Sequence, residues 1–287
     1  MKKSFLALLL LCAGLSVSAQ EVKEFPKPKR MQPGHTEFWQ PQPPVVTPGS
    51  FTATVEVPDA KASKAGKVKK GQAPVLVPAT LPASDAFLSA PSDAIVLFDG
   101  SGLDEWTGPN GVAPGWTVSD GVLTIVPGKG EIVTKRVFHD FQLHIEWCEP
   151  VGMEGESQGR GNSGVYLQGR YEIQVLDSFD NPTYASGGAG SIYKQHAPLV
   201  NAMRPQGQWN VYDIIYEAPT FKKDGTFRTY PHVTILHNGV LIQNHTEILG
   251  TTEYVGFPRQ QEHGDGPIML QDHGNPVRFR NIWIRAL

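Results

Sequence analysis

Phe-Gln-Leu-His-Ile-Glu-Trp at 141–147, Gly-Asn-Ser-Gly-Val-Tyr-Leu-Gln at 161–168 and Tyr-Glu-Ile-Gln-Val-Leu-Asp-Ser at 171–178 are the residues from which the fold can be read. Each run alternates apolar and polar side chains, the period of a half-buried strand. In the first, Phe141, Leu143, Ile145 and Trp147 share one face, and Gln142, His144 and Glu146 share the other. In the third, Glu172 and Gln174 lie opposite Tyr171, Ile173 and Val175, with Asp177 just past the strand. A face that serves only solubility is richer in Lys, Thr and Ser. Acids, an imidazole and carboxamides instead suit the gripping or protonation of a polyhydroxylated ligand.

Working outward, the same grammar continues on both sides. A strand at 94–98 ends at Asp99-Gly100, and 116–118 and 122–126 flank the turn Ser119-Asp120-Gly121. A short strand at 132–134 leads into the opening stretch. Beyond it, 209–217 alternates, with Val211, Asp213 and Ile215 on one face and Tyr212, Ile214 and Tyr216 on the other. Strands at 232–236 and 240–244 are joined through His237-Asn238-Gly239, and 268–271 and 277–284 close the chain. Asp-Gly and Asn-Gly between alternating runs are strong hairpin signals. No window of helical length holds a helical period. At least eleven short strands predict an all-β fold, a β-sandwich.

Residues 93–287 are therefore predicted to form the globular domain. Residues 20–92 differ in composition: 12 of the 24 prolines lie there, with Lys61, Lys64, Lys67, Lys69 and Lys70 in a basic run. Such a segment buries little apolar surface per residue and is predicted to be an extended arm over the domain. Residues 1–19 read as a signal peptide, with Lys2 and Lys3 before an apolar run and Val17-Ser18-Ala19 as the cleavage site. Export to the periplasm or cell exterior is the expectation. Cleavage leaves Cys148 alone, so no internal disulfide is expected, and the thiol is read as a buried one.

The formal charge of -3 favours neither nucleic acid nor an anionic membrane as partner, and no apolar run predicts membrane insertion. No His-Glu-x-x-His, EF-hand or Gly-x-Ser-x-Gly pattern is present. No cofactor is implied; a divalent metal stays open, though no motif marks one. The glycine-rich stretch 149–162 lacks the spacing of a phosphate cradle and reads as a mobile loop that delivers Arg160 to a pocket. What remains is chemistry on strands: Glu172 with Gln174, His144 with Glu146, Tyr166 with Gln168, and Gln271 with His273. Alternate residues stand about 6.5–7 Å apart on one face, a span that flanks a sugar ring. His273 beside Asp272 is an acid–base candidate, and Trp209 is the ring best placed for sugar stacking. Trp106, Trp116, Trp147 and Trp283 are read as core, and His35, His139, His232, His237, His245 and His263 as surface residues.

Several runs resemble the 3-keto-disaccharide hydrolase domain family. They are Ile-Val-Leu-Phe-Asp-Gly at 95–100, Trp-Thr-Val-Ser-Asp-Gly-Val-Leu at 116–123, the three opening runs, and Leu-Gln-Asp-His-Gly-Asn-Pro-Val-Arg-Phe-Arg-Asn-Ile-Trp-Ile at 270–284. The resemblance runs in order from 93 to 287. It implies a concanavalin A-like jelly roll whose sheet binds carbohydrate, and cleavage of glycosides whose sugar carries a ketone at carbon 3. It further implies Glu172 or Glu146 as base or acid, and His144 and His273 as proton carriers or enolate donors. Asn162, Gln174 and Arg160 would hold hydroxyls, with Asp177, Gln271, Trp209 and Lys194 as further substrate contacts. A lectin-like module without turnover and a glycosidase of unoxidised glycans are the alternatives. Glu172-Ile-Gln-Val-Leu-Asp177 departs from the Glu-x-Asp-x-Glu strand of sandwich endoglucanases, which weighs against a conventional retaining mechanism.

Overall fold

Alternation at period two commits most of residues 93–287 to strands, and the large apolar residues of those strands decide which faces meet. The computed structural model describes residues 42–48 and 89–287. The signal peptide, the basic run and most of the predicted arm lie outside the described residues. No helix among the described residues is long and apolar enough to cross a membrane.

Fifteen strands are described, and they form a β-sandwich. The larger sheet holds β1 (Ile95–Phe98), β3 (Thr117–Ser119), β4 (Val122–Thr124), β6 (Phe141–Cys148), β9 (Asn210–Glu217), β12 (His232–His237), β13 (Val240–Glu247) and β15 (Arg278–Ala286). Its order is β13-β12-β9-β6-β15-β4-β3, with β1 also paired to β15. The smaller sheet runs β2 (Trp106–Thr107), β5 (Ile132–Thr134), β14 (Met269–Leu270), β7 (Ser163–Leu167) and β8 (Tyr171–Val175). A separate two-stranded ribbon pairs β10 (Thr220–Phe221) with β11 (Phe227–Thr229). All these pairings are antiparallel, as hairpin connections require.

Both predicted two-residue hairpins form. Asp120 and Gly121 take φ of 52° and 75°, and Asn238 and Gly239 take 54° and 79°. Positive φ at both central positions gives the turn whose twist matches a strand pair.

The core lies between the sheets. Leu143, Ile145, Trp147, Tyr212, Ile214 and Tyr216 of the larger sheet are buried with Val165, Leu167, Tyr171, Ile173, Val175 and Leu270 of the smaller. Two phenols reach across: Tyr212 donates to the Gln174 carbonyl at 2.8 Å and Tyr216 to Gln168 Oε1 at 2.9 Å. Trp106, Trp116, Trp147 and Trp283 are buried, as read from the sequence, and so is Cys148. His237, read as a surface residue, is instead fully buried beside Trp147 and Tyr212, and burial pushes its imidazole down to about 3. Of the N-terminal segment, Val46 N–H donates to the Asn201 carbonyl at 2.9 Å and Asn201 N–H to that of Pro44 at 2.7 Å.

Candidate functional site

The β7–β8 hairpin builds the site. Its register pairs Tyr166 with Glu172 and Gly164 with Gln174, so these residues share the face turned away from the core. β14 runs beside β7, with Met269 opposite Tyr166, and Gln271 N–H then donates to the Gly164 carbonyl. Gln271 thereby arrives next to the same pair.

The result is a cleft of about 340 Å³ lined by Asn162, Tyr166, Glu172, Gln174, Tyr193, Tyr254, Gln271 and His273. Glu172 is 3 % exposed at its floor. The Tyr166 hydroxyl donates to Glu172 Oε2 at 2.9 Å and accepts from Gln271 Nε2 at 3.2 Å. Gln174, with its amide turned to satisfy its neighbours, donates to Glu172 Oε1 at 3.0 Å. Burial pushes the Glu172 carboxyl up to about 8, against the Tyr166 hydrogen bond and the Lys194 charge. A carboxyl tuned to that range exchanges its proton near neutral pH. Burial and the nearby Glu172 charge push the Tyr166 phenol in the same upward direction, so it stays a donor.

Gly164 makes room for this arrangement. A Cβ there would lie 2.5 Å from Glu172 Oε1 and 3.0 Å from the Tyr166 ring. Gln271 Oε1 is buried without a hydrogen-bond partner, an acceptor left open beside the Tyr166 hydroxyl. Asn162 is tied from below: its N–H donates to Asn275 Oδ1 at 2.7 Å and its Nδ2 to the Gln158 carbonyl at 2.8 Å. Lys194 is buried near the cleft, donates to the Tyr254 carbonyl at 2.6 Å, and sits 4.5 Å from the Tyr254 ring centre.

The sequence-predicted residues divide into three places. Glu172, Gln174, Asn162, Gln271 and His273 come together in the cleft, with Lys194 behind its wall. His144 and Glu146 do not join them, because β6 belongs to the larger sheet and turns its polar face to the opposite side of the sandwich. There, His144 Nδ1 meets Asp213 Oδ1 at 2.6 Å, and Glu146 accepts from Arg280 at 2.7 Å and Asn281 at 2.8 Å. Burial opposes the imidazolium, but Asp213 and Glu146 prevail and raise His144 to about 8. Burial also disfavours the Glu146 carboxylate, yet His144, Asn281 and Arg280 hold it below the usual range. Trp209 belongs to this outer face as well, covered by the Arg280 guanidinium 4.2 Å from its ring, so it is a packing surface outside the cleft.

The third place is the base of the loop that carries Arg160. Arg160 Nε lies 2.8 Å from Asp177 Oδ2, and Gln206 donates to the same oxygen at 2.7 Å. Asp177 is fully buried, and neither residue lines the cleft. The loop predicted to be mobile contains a 3₁₀ turn, Ser157–Gly159, bonded to Asn181 and Thr183. Burial and then the Asp177 charge push the Glu149 carboxyl well above the usual carboxyl range.

Gln168, expected in a row with Tyr166, takes φ of 51° past the end of β7 and turns inward to Phe138 and Tyr216. Asp272 does not orient His273; its carboxylate caps the turn, accepting from Gly130 and Gly274. Tyr193 and Tyr254 escaped sequence reasoning. Both stand in long connections without period, and only Tyr193, beside the predicted Lys194, carried any signal.

Known proteins resemble this chain over the same domain. A curated protein from Bacteroides thetaiotaomicron named 3-keto-disaccharide hydrolase is 24% identical over 249 residues, spanning 70% of this chain and 81% of its own length. A crystal structure of a glycosyl hydrolase candidate from Parabacteroides distasonis is 62% identical, with a TM-score of 0.69, and covers 69% of this chain and 86% of that one. The family model for 3-keto-alpha-glucoside-1,2-lyase-like domains matches residues 93–285. The match spans two thirds of the sequence, including the whole cleft, and the chain belongs to that family.

Proposed function

We propose that the protein is an exported carbohydrate-active enzyme that cleaves the glycosidic bond of 3-keto-glycosides by elimination followed by addition of water. One observation carries this reading: among the described residues lining the cleft, Glu172 is the only carboxylate. A glycosidase of unoxidised sugars works with a pair of carboxyl groups about 5–9 Å apart. Elimination next to a ketone needs one base, one acid and donors for an enolate oxygen. The cleft has that inventory. The family membership and the name of the Bacteroides thetaiotaomicron relative support the same substrate class, and the apolar run at 5–15 supports export.

In this mechanism the ketone at carbon 3 acidifies the hydrogen on carbon 2. The ionised Glu172 takes that proton, and the electron pair forms the enolate, whose oxygen is met by the Asn162 amide hydrogen that otherwise makes only a 3.4 Å contact to Gln158 Oε1. The enolate then collapses, a double bond forms between carbons 1 and 2, and the bond from carbon 1 to the aglycone oxygen breaks. His273, at the open side, gives that oxygen a proton. Water adds its hydroxyl to carbon 1 and a proton returns to carbon 2, so the net change is hydrolysis. Tyr166 holds the Glu172 carboxylate in place and Gln271 Oε1 accepts from a sugar hydroxyl.

Incubation with a 3-keto-glucoside and with its unoxidised parent tests the reading. Aglycone release from the keto sugar alone is the expected outcome, with kcat/KM rising as pH approaches 8 and Glu172 ionises. Release from the parent at an equal rate points to an ordinary glycosidase. Binding of both with turnover of neither points to a lectin-like module.

A further inference from the structure

On the opposite side of the sandwich, at the free edge of the larger sheet, three neighbouring strands bring two imidazoles and a carboxylate together. Glu217 is the cross-strand partner of His232 between β9 and β12. His245 comes from β13, the last strand of the sheet. One ligand atom from each of the three lies within 4.8 Å of the other two. We propose that Glu217, His232 and His245 form a binding site for a borderline divalent transition-metal ion of the zinc class.

The backbone is shaped for this meeting. Val233 pairs with Thr246 and Ile235 with Gln243, so two steps along β12 answer three along β13. The extra residue is a bulge, which re-aims a side chain that a regular ladder would leave elsewhere. His245 takes the strain, with φ of 47°, in a region that a β-carbon disfavours. Its N–H donates to Thr234 Oγ1 at 2.9 Å, which holds the bulge. The rings of His232 and His245 then lie face to face, centres 4.1 Å apart and 9° from parallel.

The distances leave room for an ion. His245 Nδ1 stands 3.8 Å from Glu217 Oε1, and His232 Nε2 stands 3.8 Å from Glu247 Oε1. These separations are too long for hydrogen bonds. Two ligands each about 2.0–2.1 Å from a tetrahedral ion lie roughly 3.4 Å from one another, so small side-chain rotations close the shell. Glu247, the partner of His232 on β13, stands beside the trio, 3.8 Å from His232 Nε2. Imidazole nitrogens with a carboxylate select zinc, nickel or copper over calcium and magnesium, which want oxygen alone. Among the described residues, the cluster's charged and titratable neighbours include Glu247, beside His232, and His196, which Glu247 faces in turn.

An ion here would staple β9, β12 and β13, closing the exposed end of the larger sheet. It stands on the other face from the cleft, so its loss leaves turnover unchanged.

The full-length protein, stripped with a chelator, is titrated with zinc chloride by calorimetry and followed by thermal melting. One equivalent of zinc bound and a raised Tm are expected, with calcium and magnesium giving neither. His232→Asn and His245→Asn should each weaken binding about tenfold or more. Where either variant melts early without metal, zinc protection of His232 and His245 from pyrocarbonate labelling in the unaltered chain replaces it. Absence of binding at about 1 mM zinc, binding indifferent to both substitutions, or labelling unchanged by zinc each overturns the proposal.

Discussion

Glu172 and Glu146 have the same position in their strands, one acid alternating with core residues, yet the fold gives them opposite electrostatics. Glu172 has lost its water to a neutral cleft and sits at about 8, while Glu146 is held charged by Arg280 and Asn281. Glu172→Gln should therefore lower turnover of a 3-keto-glucoside about a hundredfold or more. Glu146→Gln should leave the rate within about threefold and lower stability by about 1–3 kcal/mol, because Arg280 loses its buried anion. Stability against pH separates the two further. A carboxyl at about 8 in the folded chain and 4.5 in the unfolded one holds its proton only when folded across that window. The unfolded state thus binds fewer protons, and stability falls as pH rises from 4.5 to about 8. Melting curves of Glu172→Gln across that range should fall less steeply than those of the unaltered chain. Both acids are legible in the sequence as polar residues on strand faces. Their different states are not, because burial depth and the approach of Arg280 come from strands far away in the chain.

Among the elements, the β7–β8 hairpin carries most of what the cleft does. Its short connection sets the register, and the register puts Tyr166 beside Glu172 and Gly164 beside Gln174. Gly164→Ala puts a methyl group 2.5 Å from Glu172 Oε1, so the carboxylate must move. A displacement near 1 Å at a reacting group costs about a hundredfold, and steady-state kinetics of this variant should show that loss in kcat. The strain itself should cost about 1–3 kcal/mol in a denaturant titration. Alternation made the hairpin and both Asx-Gly turns readable from residues 119–121, 161–178 and 237–239. It could not assign strands to sheets. β6 and β8 look alike in sequence, but β6 pairs with β9 and β15 while β8 pairs with β7. That is why His144 and Glu172, expected along one wall, face away from each other. Tyr193 and Tyr254 were hidden for a related reason: connections have no period, and their places are fixed by contacts such as Tyr193 N–H to the Glu172 carbonyl.

At the scale of the whole molecule, the two sheets are joined by more than apolar contact. The hydroxyls of Tyr212 and Tyr216 cross the core and end on the hairpin, one on the Gln174 carbonyl and the other on Gln168 at its turn. Tyr216→Phe deprives Gln168 Oε1 of its donor in a buried setting, and should cost about 1–3 kcal/mol in a denaturant titration. The two crossing bonds also act as dowels: the sheets cannot slide over one another along the strands without breaking them. A cleft carried by five strands thus has an eight-stranded backing plate, and its geometry outlasts thermal agitation until the plate itself gives way. Heat inactivation measured on a 3-keto-glucoside should then trace the same curve as loss of tertiary structure, with no earlier failure of the cleft alone.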